Sequence, residues 1–245
     1  MLTLPTEKIQ AKVENPRFLI IYGKPKNGKT TCVAALENNL LIDLEGGSQY
    51  MDALSVQARS VEDLGEIANA ITAKIKETSV KPYKYITIDS ATVLEEISKP
   101  LALRLYQQTP MGKSYKDDIL KLANGGGYYY LREAFDKIIT MFKGLCDTLI
   151  LVGHCKDTMI NKDGKEMSEM SLDLSGKLAR ITLASADAIG YIYRNKNKTM
   201  LNFKGGEDYI LGARAPHLKE QEFVIAESED PKTVNVFWDK IFLPE

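Results

Sequence analysis

Apolar residues along the chain gather in short runs of strand length, and longer stretches with helical spacing separate these runs. Four runs rich in apolar and β-branched residues predict strands at residues 17–22, 39–44, 84–89 and 147–154. Residues 61–75 and 131–145 place apolar side chains at helical intervals, which predicts helices that cover one face of a parallel sheet. This alternation predicts an α/β fold with a mostly parallel central sheet flanked by helices.

The pattern changes in the second half of the chain, where two apolar runs lie close together. Residues 189–194 and 199–203 flank the polar sequence NKNK, which is typical of the turn of a β-hairpin. A further polar break at residues 161–165 follows the fourth predicted strand and indicates the tip of another loop or hairpin. We therefore expect the sheet to end in antiparallel strands toward the C-terminus.

The length of 245 residues fits one large α/β domain. Residues 223–226 and 234–243 predict a terminal strand and a short closing segment. We accordingly predict a single domain over residues 1–245, with a core at about 17–205 and an extension at 206–245 that packs on this core.

The sequence GKPKNGKTT directly follows the first predicted strand and precedes an alanine-rich stretch. Its glycines and its Gly-Lys-Thr ending have the spacing of a phosphate-binding loop that opens a helix. Lys29 is expected to contact the β- and γ-phosphates, and Thr30 is expected to bind Mg²⁺ through its hydroxyl. We predict ATP and Mg²⁺ as cofactors, with the nucleotide contacted by Gly23, Lys24, Pro25, Lys26, Asn27, Gly28, Lys29, Thr30 and Thr31.

Asp89 ends the third predicted strand, which is where a P-loop protein needs a carboxylate to support Mg²⁺ and its waters. An alternative role is to cap the helix that begins near Ala91, and Ser90 is a second candidate for that cap. Many P-loop ATPases place a water-activating glutamate directly after this aspartate, but here that position is Ser90. The catalytic base must therefore come from another part of the chain.

Two carboxylates, Asp43 and Glu45, end the strand that follows the phosphate-binding loop. A carboxylate there can face the γ-phosphate and orient water, and Glu45 is our first candidate for the base. Glu95 and Glu96 are weaker candidates, because the helix after Asp89 would direct them away from the phosphates and into solvent.

His154 ends the fourth predicted strand, within reach of the γ-phosphate, and a polar side chain there can sense the nucleotide. A buried histidine with a purely structural role is the alternative. The polar segment after it is expected to be a mobile loop, and acidic residues within it leave a solvated excursion as the alternative to a nucleic-acid contact. If it binds a phosphate backbone, the candidate cations are Lys156, Lys162, Lys165, Lys177 and Arg180.

Three further features have less specific patterns. Residues 124–132, NGGGYYYLR, predict a hinge with tyrosines wedged into the core, and stacking of these tyrosines on unpaired bases is the alternative. Residues 100–127 form a candidate lid or partner-binding insertion. Arg214 is a candidate arginine finger for the nucleotide of a neighbouring copy, which would require an oligomer.

The charge and the cysteine content narrow the class of protein. The chain has 32 basic and 33 acidic side chains, so no global basic field attracts nucleic acid and any polyanion site must be local. Its three cysteines and two histidines lack the spacing of a zinc site. No signal-peptide pattern or membrane-length apolar run is found, so we expect a cytoplasmic protein without a membrane partner.

Taken together, five motifs resemble, in this order and spacing, the RecA-like ATPases encoded by bacteriophages, particularly the Sak-type single-strand annealing proteins. These motifs are GKPKNGKT, LIDLEGG, YITIDS, LILVGH and GARAPHL, and the resemblance covers about residues 18–218. It implies a RecA-like P-loop NTPase fold, Mg²⁺-dependent ATP hydrolysis and a role in DNA recombination in the host cytoplasm. The partners that it implies are single-stranded DNA, a single-strand-binding protein and further copies of the chain.

The resemblance also carries roles onto individual residues. Lys29 and Thr30 become nucleotide and Mg²⁺ contacts, and Asp89 supports the metal. Glu45 orients the attacking water, and His154 occupies the nucleotide-sensing position.

Two other functions fit the same loop. One is a nucleotide-gated helicase loader or assembly switch with little turnover, which the near-neutral charge and compact length favour. The other is a P-loop small-molecule kinase. Such a kinase usually needs an arginine-rich lid, whereas residues 100–127 contain only Arg104.

Overall fold

The computed structural model describes residues 6–8, 15–162, 165–206, 209–230 and 233–244. Within these residues one sheet contains β1 (Phe18–Gly23), β2 (Asn39–Asp43), β3 (Ser55–Gln57), β4 (Tyr85–Asp89), β5 (Thr148–Lys162), β6 (Lys165–Leu172), β7 (Ala188–Asn195), β8 (Lys198–Asn202), β9 (Gly212–Ala213), β10 (Glu222–Ser228) and β11 (Val234–Val236). The α-helices are α1 (Lys29–Ala34), α2 (Val61–Thr78), α3 (Ala91–Gln107), α4 (Gly126–Lys143) and α5 (Lys177–Ala184).

The sheet is parallel at its centre and antiparallel at one side. Its order is β11-β10-β8-β7-β1-β5-β4-β2-β3, and β6 and β9 pair with β5 and β7. From β7 to β3 each neighbouring pair is parallel, whereas β8, β10 and β11 are antiparallel. This confirms the predicted α/β fold, including the hairpin of β7 and β8. The carboxyl ends of β1, β4 and β2 meet beside His154 of β5 at one edge, which we call the carboxyl edge.

The central strands are covered on both faces. Every residue of β1, β2 and β4 is buried, as expected for parallel strands between two layers. Leu64, Phe135 and Leu178 of α2, α4 and α5 pack on one face. The other face is covered by α1 and by C-terminal residues, among them Trp238, whose Nε1 donates to the Cys32 carbonyl at 2.7 Å. The described C-terminal residues thus contact the phosphate-loop helix directly.

Local sequence accounts for the beginning of α2. The Ser60 hydroxyl accepts from the Asp63 amide at 3.1 Å, and the Asp63 carboxylate accepts from the Ser60 amide at 3.0 Å. This reciprocal capping box satisfies two amides at the helix end. In the described part of the chain, no helix combines the length and the apolar character that a membrane span requires.

The prediction of a mobile loop after His154 was wrong. β5 does not end there: it continues for eight residues to Lys162 and pairs with β6. Residues 163–164, at the tip of the predicted break, lie outside the described residues. The two arms pair across the hairpin from Cys155 with Leu172 to Lys162 with Lys165, and this pairing is not visible in either arm alone.

Two predictions about residues 100–132 also need correction. α3 continues through Pro100 to Gln107, so the first part of the expected lid is ordinary helix. Tyr128 and Tyr129 are 40% and 52% exposed rather than wedged into the core. Gly127, before the tyrosines, is buried instead, and a Cβ there would lie 1.8 Å from the Ile119 carbonyl oxygen.

Candidate nucleotide site

The phosphate-binding loop joins β1 to α1 at the carboxyl edge of the sheet. The loop requires glycine at two positions, and the physical reason differs between them. A Cβ on Gly23 would lie 2.3 Å from the Ile192 carbonyl oxygen, so only glycine permits this approach to β7. Gly28 has a φ of 86°, in the left-handed region where a side chain costs energy. The loop therefore has the backbone that the sequence pattern predicts.

Lys29 lies within the loop rather than in solvent. Its side chain is 6% exposed, and Nζ donates to the carbonyl oxygens of Gly23 at 3.0 Å and Lys24 at 2.9 Å. Burial lowers the pKa of Lys29, and the negative charge of Asp89 opposes that shift. Because the ammonium is held where phosphate oxygens would enter the loop, it can exchange these carbonyls for a β- or γ-phosphate.

Thr30 and Asp89 form a pair of oxygen donors beside Lys29. The Thr30 hydroxyl donates to Asp89 Oδ2 at 2.6 Å, and Asp89 is 5% exposed. Burial, helped by the charge of Glu45, raises the pKa of Asp89 to about 6 against the hydrogen bond from Thr30. A hydroxyl next to a carboxylate is the donor set that Mg²⁺ prefers, and a bound cation would remove the cost of this buried charge.

Asp43 does not act as a free carboxylate. Its Oδ1 accepts from the amides of Glu45, Gly46 and Gly47 at 3.1, 2.7 and 3.3 Å, and its Oδ2 accepts from the amide and the hydroxyl of Ser48 at 2.9 and 2.6 Å. Burial alone would raise the pKa of Asp43, but the hydrogen bonds from Ser48 and these amides lower it. Asp43 therefore orders the turn that carries Glu45.

Glu45 is brought next to the phosphate-binding loop and held by two side chains. Its Oε1 accepts a hydrogen bond from the Ser90 hydroxyl and lies 3.1 Å from His154 Nε2. His154 lies directly opposite Gly23 in the register of β5 and β1. The structure thus places Glu45, His154 and the loop around one point.

This arrangement leaves one nitrogen of His154 free. Nδ1 is buried and has no hydrogen-bond partner among the described residues. A buried polar nitrogen without a partner is costly, and this is unusual for a histidine with a purely structural role. Ser90 also departs from expectation, because it precedes α3 without a side-chain cap and donates to Glu45 instead. Its position directly after Asp89 was the only sequence signal for this contact.

The weaker base candidates face other parts of the protein. Glu95 is 5% exposed and accepts from the Ser175 amide at 3.0 Å, so its predicted solvated role was wrong. The turn before α5 packs over α3 and covers Glu95. Glu96 is bonded to Lys99 at 2.6 Å on the exposed side of the same helix. Neither carboxylate has a contact with the phosphate-binding loop.

The candidate nucleic-acid cations are spread over three places. Lys156 is held at the base of the hairpin, where it donates to the Leu174 carbonyl and lies 3.5 Å from Asp173. Lys162 and Lys165 are opposite each other at the outer end of β5 and β6. The remaining two, Lys177 and Arg180, lie on α5 rather than in a loop. The structure therefore does not bring the five cations together as one segment.

Arg214 lies at the opposite edge of the sheet from the phosphate-binding loop. Its guanidinium is 3.2 Å from Asp187 Oδ1, and Asp187 Oδ2 also accepts from the Phe18 amide at 3.1 Å, where β1 begins. The side chain is 68% exposed. Arg214 is therefore remote from the nucleotide of its own chain, and the role of a finger toward a neighbouring copy stays a prediction.

The sheet is parallel at its centre, and a Gly-rich loop joins its first strand to its first helix. Together with the bond from Thr30 to Asp89 at the end of β4, these features define a P-loop ATPase. The family model of the AAA domain matches residues 15–215, which is most of the chain and includes all of these features. The chain therefore belongs to the AAA domain family, whose members are nucleotide-binding ATPases. No curated protein matches the chain.

The opposite pKa shifts of two neighbouring carboxylates give a test of the site without nucleotide. The pKa of Asp89 is raised from 3.8 to about 6, so its ionisation opposes folding increasingly as the pH rises through this range. Asp89→Asn should therefore raise the free energy of unfolding by about 3 kcal/mol at pH 8 and by about half as much at pH 5. Urea titrations at both pH values, without nucleotide or Mg²⁺, measure this difference.

Asp43→Asn is the matched control for this measurement. The pKa of Asp43 is lowered, so its ionised form stabilises the fold above the ordinary pKa. Its replacement should reduce the free energy of unfolding at pH 8, the opposite sign to Asp89→Asn. Equal losses of unfolding free energy for both variants at both pH values would contradict the assignment of Asp89 as a buried carboxylate whose charge destabilises the fold.

Proposed function

We propose that the protein is an Mg²⁺-dependent ATPase that binds single-stranded DNA and acts in DNA recombination or single-strand annealing, as the bacteriophage proteins that it resembles do. One observation carries this proposal. The strand that places His154 on Glu45 continues into the hairpin of β5 and β6. His154, which contacts the candidate base, and the β5–β6 hairpin thus share the continuous strand β5.

The residues around the loop have separate tasks in hydrolysis. Lys29 would bind the β- and γ-phosphates, and Thr30 and Asp89 would hold Mg²⁺. When bound, Mg²⁺ supplies charge neutralisation on the phosphate oxygens. Glu45 would orient the attacking water and accept its proton, for which its Oε1 must exchange a contact with Ser90 or His154 for the water.

The hairpin supplies a route between DNA and this base. Its eight cross-strand pairs, from Cys155 with Leu172 to Lys162 with Lys165, make it stiffer than an unpaired loop. A ligand at its outer end would shift His154 relative to Glu45, and the 3.1 Å contact between them has little tolerance for movement. Because coupling is reciprocal, ATP would also change the affinity for DNA.

The local charges suit a weak, non-specific DNA contact. The chain as a whole has a formal charge of −1, so a basic site must be confined to a small region. Lys162 and Lys165 provide two such cations on neighbouring strands at the outer end of the hairpin. Exposed Tyr128 and Tyr129 on α4 are a second candidate contact, because aromatic rings stack on unpaired bases.

A shortened hairpin tests the proposal. Residues 159–168 are replaced by Asn-Gly, which closes two antiparallel strands through a tight turn. We expect the ratio of ATPase rates with and without single-stranded DNA to fall to about one, because the outer contacts are gone. The same variant should anneal complementary strands no faster than buffer does. An undiminished ratio would contradict the role of the hairpin.

The double variant Lys162→Gln/Lys165→Gln is the matched control, since it keeps the hairpin and removes only charge. Each phosphate contact to a single strand contributes about 0.7 to the slope of log affinity against log salt. The slope should therefore decrease by about 1.4. Single-strand binding that is equal with ATP, ADP and no nucleotide would exclude the coupling.

Two other outcomes would favour the alternative functions. A partner complex that forms only with ATP, without DNA-stimulated turnover, would favour a nucleotide-gated loader or assembly switch. Phosphate transfer to a nucleoside or nucleotide would favour a kinase. Against the kinase, Arg104 is bonded to Glu62 of α2 and is not a free lid arginine. Assembly with further copies or with a single-strand-binding protein remains part of the proposal.

A further inference from the structure

The phosphate-binding loop has a second neighbour on the side away from Glu45. In the sheet order, β7 and β8 lie on one side of β1, and β5, β4 and β2 lie on the other. The loop packs directly on β7, since Asn27 Nδ2 donates to the Ile192 carbonyl at 3.3 Å. Asp89 and Glu45 therefore flank one end of the loop, and the β7–β8 hairpin flanks the other.

Arg194 extends from this hairpin to the loop. It faces Thr199 across β7 and β8, so the two side chains share one side of the hairpin. A Cβ placed on Gly28 would lie 3.6 Å from Thr199 Oγ1 and 4.0 Å from Arg194 Nη2. The guanidinium is thus within van der Waals reach of the second glycine of the phosphate-binding loop.

Arg194 differs from two other arginines in its pairing. Arg104 and Arg214 each pair with a carboxylate, whereas the exposed Arg194 has no hydrogen-bond or ion-pair partner in the described part of the chain. Its field does reach α1: burial raises the pKa of the Cys32 thiol to about 12, and the charge of Arg194 acts against that rise. A free guanidinium with five donors therefore stands beside a loop built for anions.

The direction of the nucleotide follows from the other end of the site. Thr30, Asp89 and Glu45 mark the position of the γ-phosphate on the β5 side of the loop. A triphosphate that lies along the loop from that point directs its α-phosphate and ribose toward β7 and β8. Arg194 therefore faces the end of the nucleotide that ATP and ADP have in common.

We propose that Arg194 is a nucleotide-binding residue whose guanidinium contacts the α-phosphate of ATP and ADP. Guanidinium binds phosphate oxygens through two parallel hydrogen bonds, which a lysine cannot reproduce. The inference rests on nucleotide binding at the loop, but it is independent of any DNA partner. It distinguishes Arg194, a residue of the same chain, from a finger that a neighbouring copy would supply.

Calorimetric titration with ATP, ADP and inorganic tripolyphosphate tests this contact. Arg194→Ala should weaken all three by about 10- to 100-fold, because a charge-assisted hydrogen bond is lost in each case. Arg194→Lys should recover only part of the loss. In hydrolysis assays, KM should rise by a larger factor than kcat falls, since the α-phosphate keeps its charge throughout the reaction.

Lys196→Asn is the matched control. Lys196 is an exposed cation in the turn of the same hairpin, with a φ of 57° that asparagine tolerates. Its replacement should change none of the three affinities by more than about twofold, because a screened surface charge contributes little. Equal losses in both variants would show a diffuse field and overturn the specific contact.

Three results for Arg194→Ala would each overturn the proposal. Unchanged affinity for all three ligands excludes a contact. Weaker binding of ATP and ADP with unchanged binding of tripolyphosphate would show that Arg194 contacts the nucleoside instead. A fall in kcat at unchanged affinity would show that it acts on the γ-phosphate. If ATP binds normally but DNA never stimulates hydrolysis, the proposed function fails while the Arg194 assignment can still be measured.

Discussion

Replacing Glu45 with glutamine should slow ATP hydrolysis by about 10²–10⁴-fold while ATP binding is retained. Glutamine keeps the size of the side chain, and its carbonyl can still accept from Ser90 and His154. It has no basic carboxylate, so the attacking water can no longer give up its proton to this position. The loop contacts of Lys29 and Thr30 do not involve Glu45 and should continue to hold the nucleotide.

Single-turnover hydrolysis and equilibrium binding of ATP, measured on the same preparation, separate these two effects. Glu96→Gln is the matched control, because Glu96 lies on α3 and pairs with Lys99 in solvent. It should hydrolyse ATP within about twofold of the wild-type rate, as expected for an exposed ion pair. A Glu45→Gln variant with the wild-type rate would show that the base is another residue. The contact between His154 and Glu45 would then no longer connect the hairpin to hydrolysis.

Replacing Lys29 with alanine should reduce kcat for ATP hydrolysis by about 10²–10³-fold, the size expected when one preorganised charged donor is removed. Lys29 is buried against the carbonyls of Gly23 and Lys24, so water cannot substitute well for its ammonium. The variant should also bind ATP more weakly. Its fold should persist, because the lost side chain forms hydrogen bonds only within the loop.

Lys74→Ala is the control for this variant, since Lys74 has an exposed side chain on α2 and is not among the predicted nucleotide contacts. Its effect on kcat should stay below about fivefold, as a solvated charge is screened. Circular dichroism and thermal unfolding confirm that both variants are folded. Equal hydrolysis by Lys29→Ala and wild type would contradict the assignment of the loop as the site of turnover.

The strands and helices near the loop could be predicted because their signals are local. Buried parallel strands read as continuous apolar runs, and α2 and α4 show the helical spacing of their core side chains. For the segment of β5 and β6, the polar break at residues 161–165 indicated only a loop or hairpin, and the expectation of a mobile loop after His154 was wrong. No continuous apolar run marks the arms of this hairpin, and only cross-strand pairing makes them strands.

The sequence by itself determined the α/β fold, the phosphate-binding loop and the carboxylates at the strand ends. Each of these depends on residues that are neighbours along the chain, such as Gly28, Lys29 and Thr30. Backbone geometry and helix periodicity act over a few residues, so a linear pattern is enough to recognise them.

Only the tertiary structure decided which distant side chains meet. The strand order brings Glu45 and Ser90, which follow β2 and β4, together with His154 from the middle of β5, and it puts Arg194 beside Gly28. It also places Arg214 at the edge of the sheet where β1 begins, opposite the phosphate-binding loop. Strand order is set by the burial of whole faces in the assembled sheet, an interaction between segments far apart in sequence, and therefore no local pattern contains it.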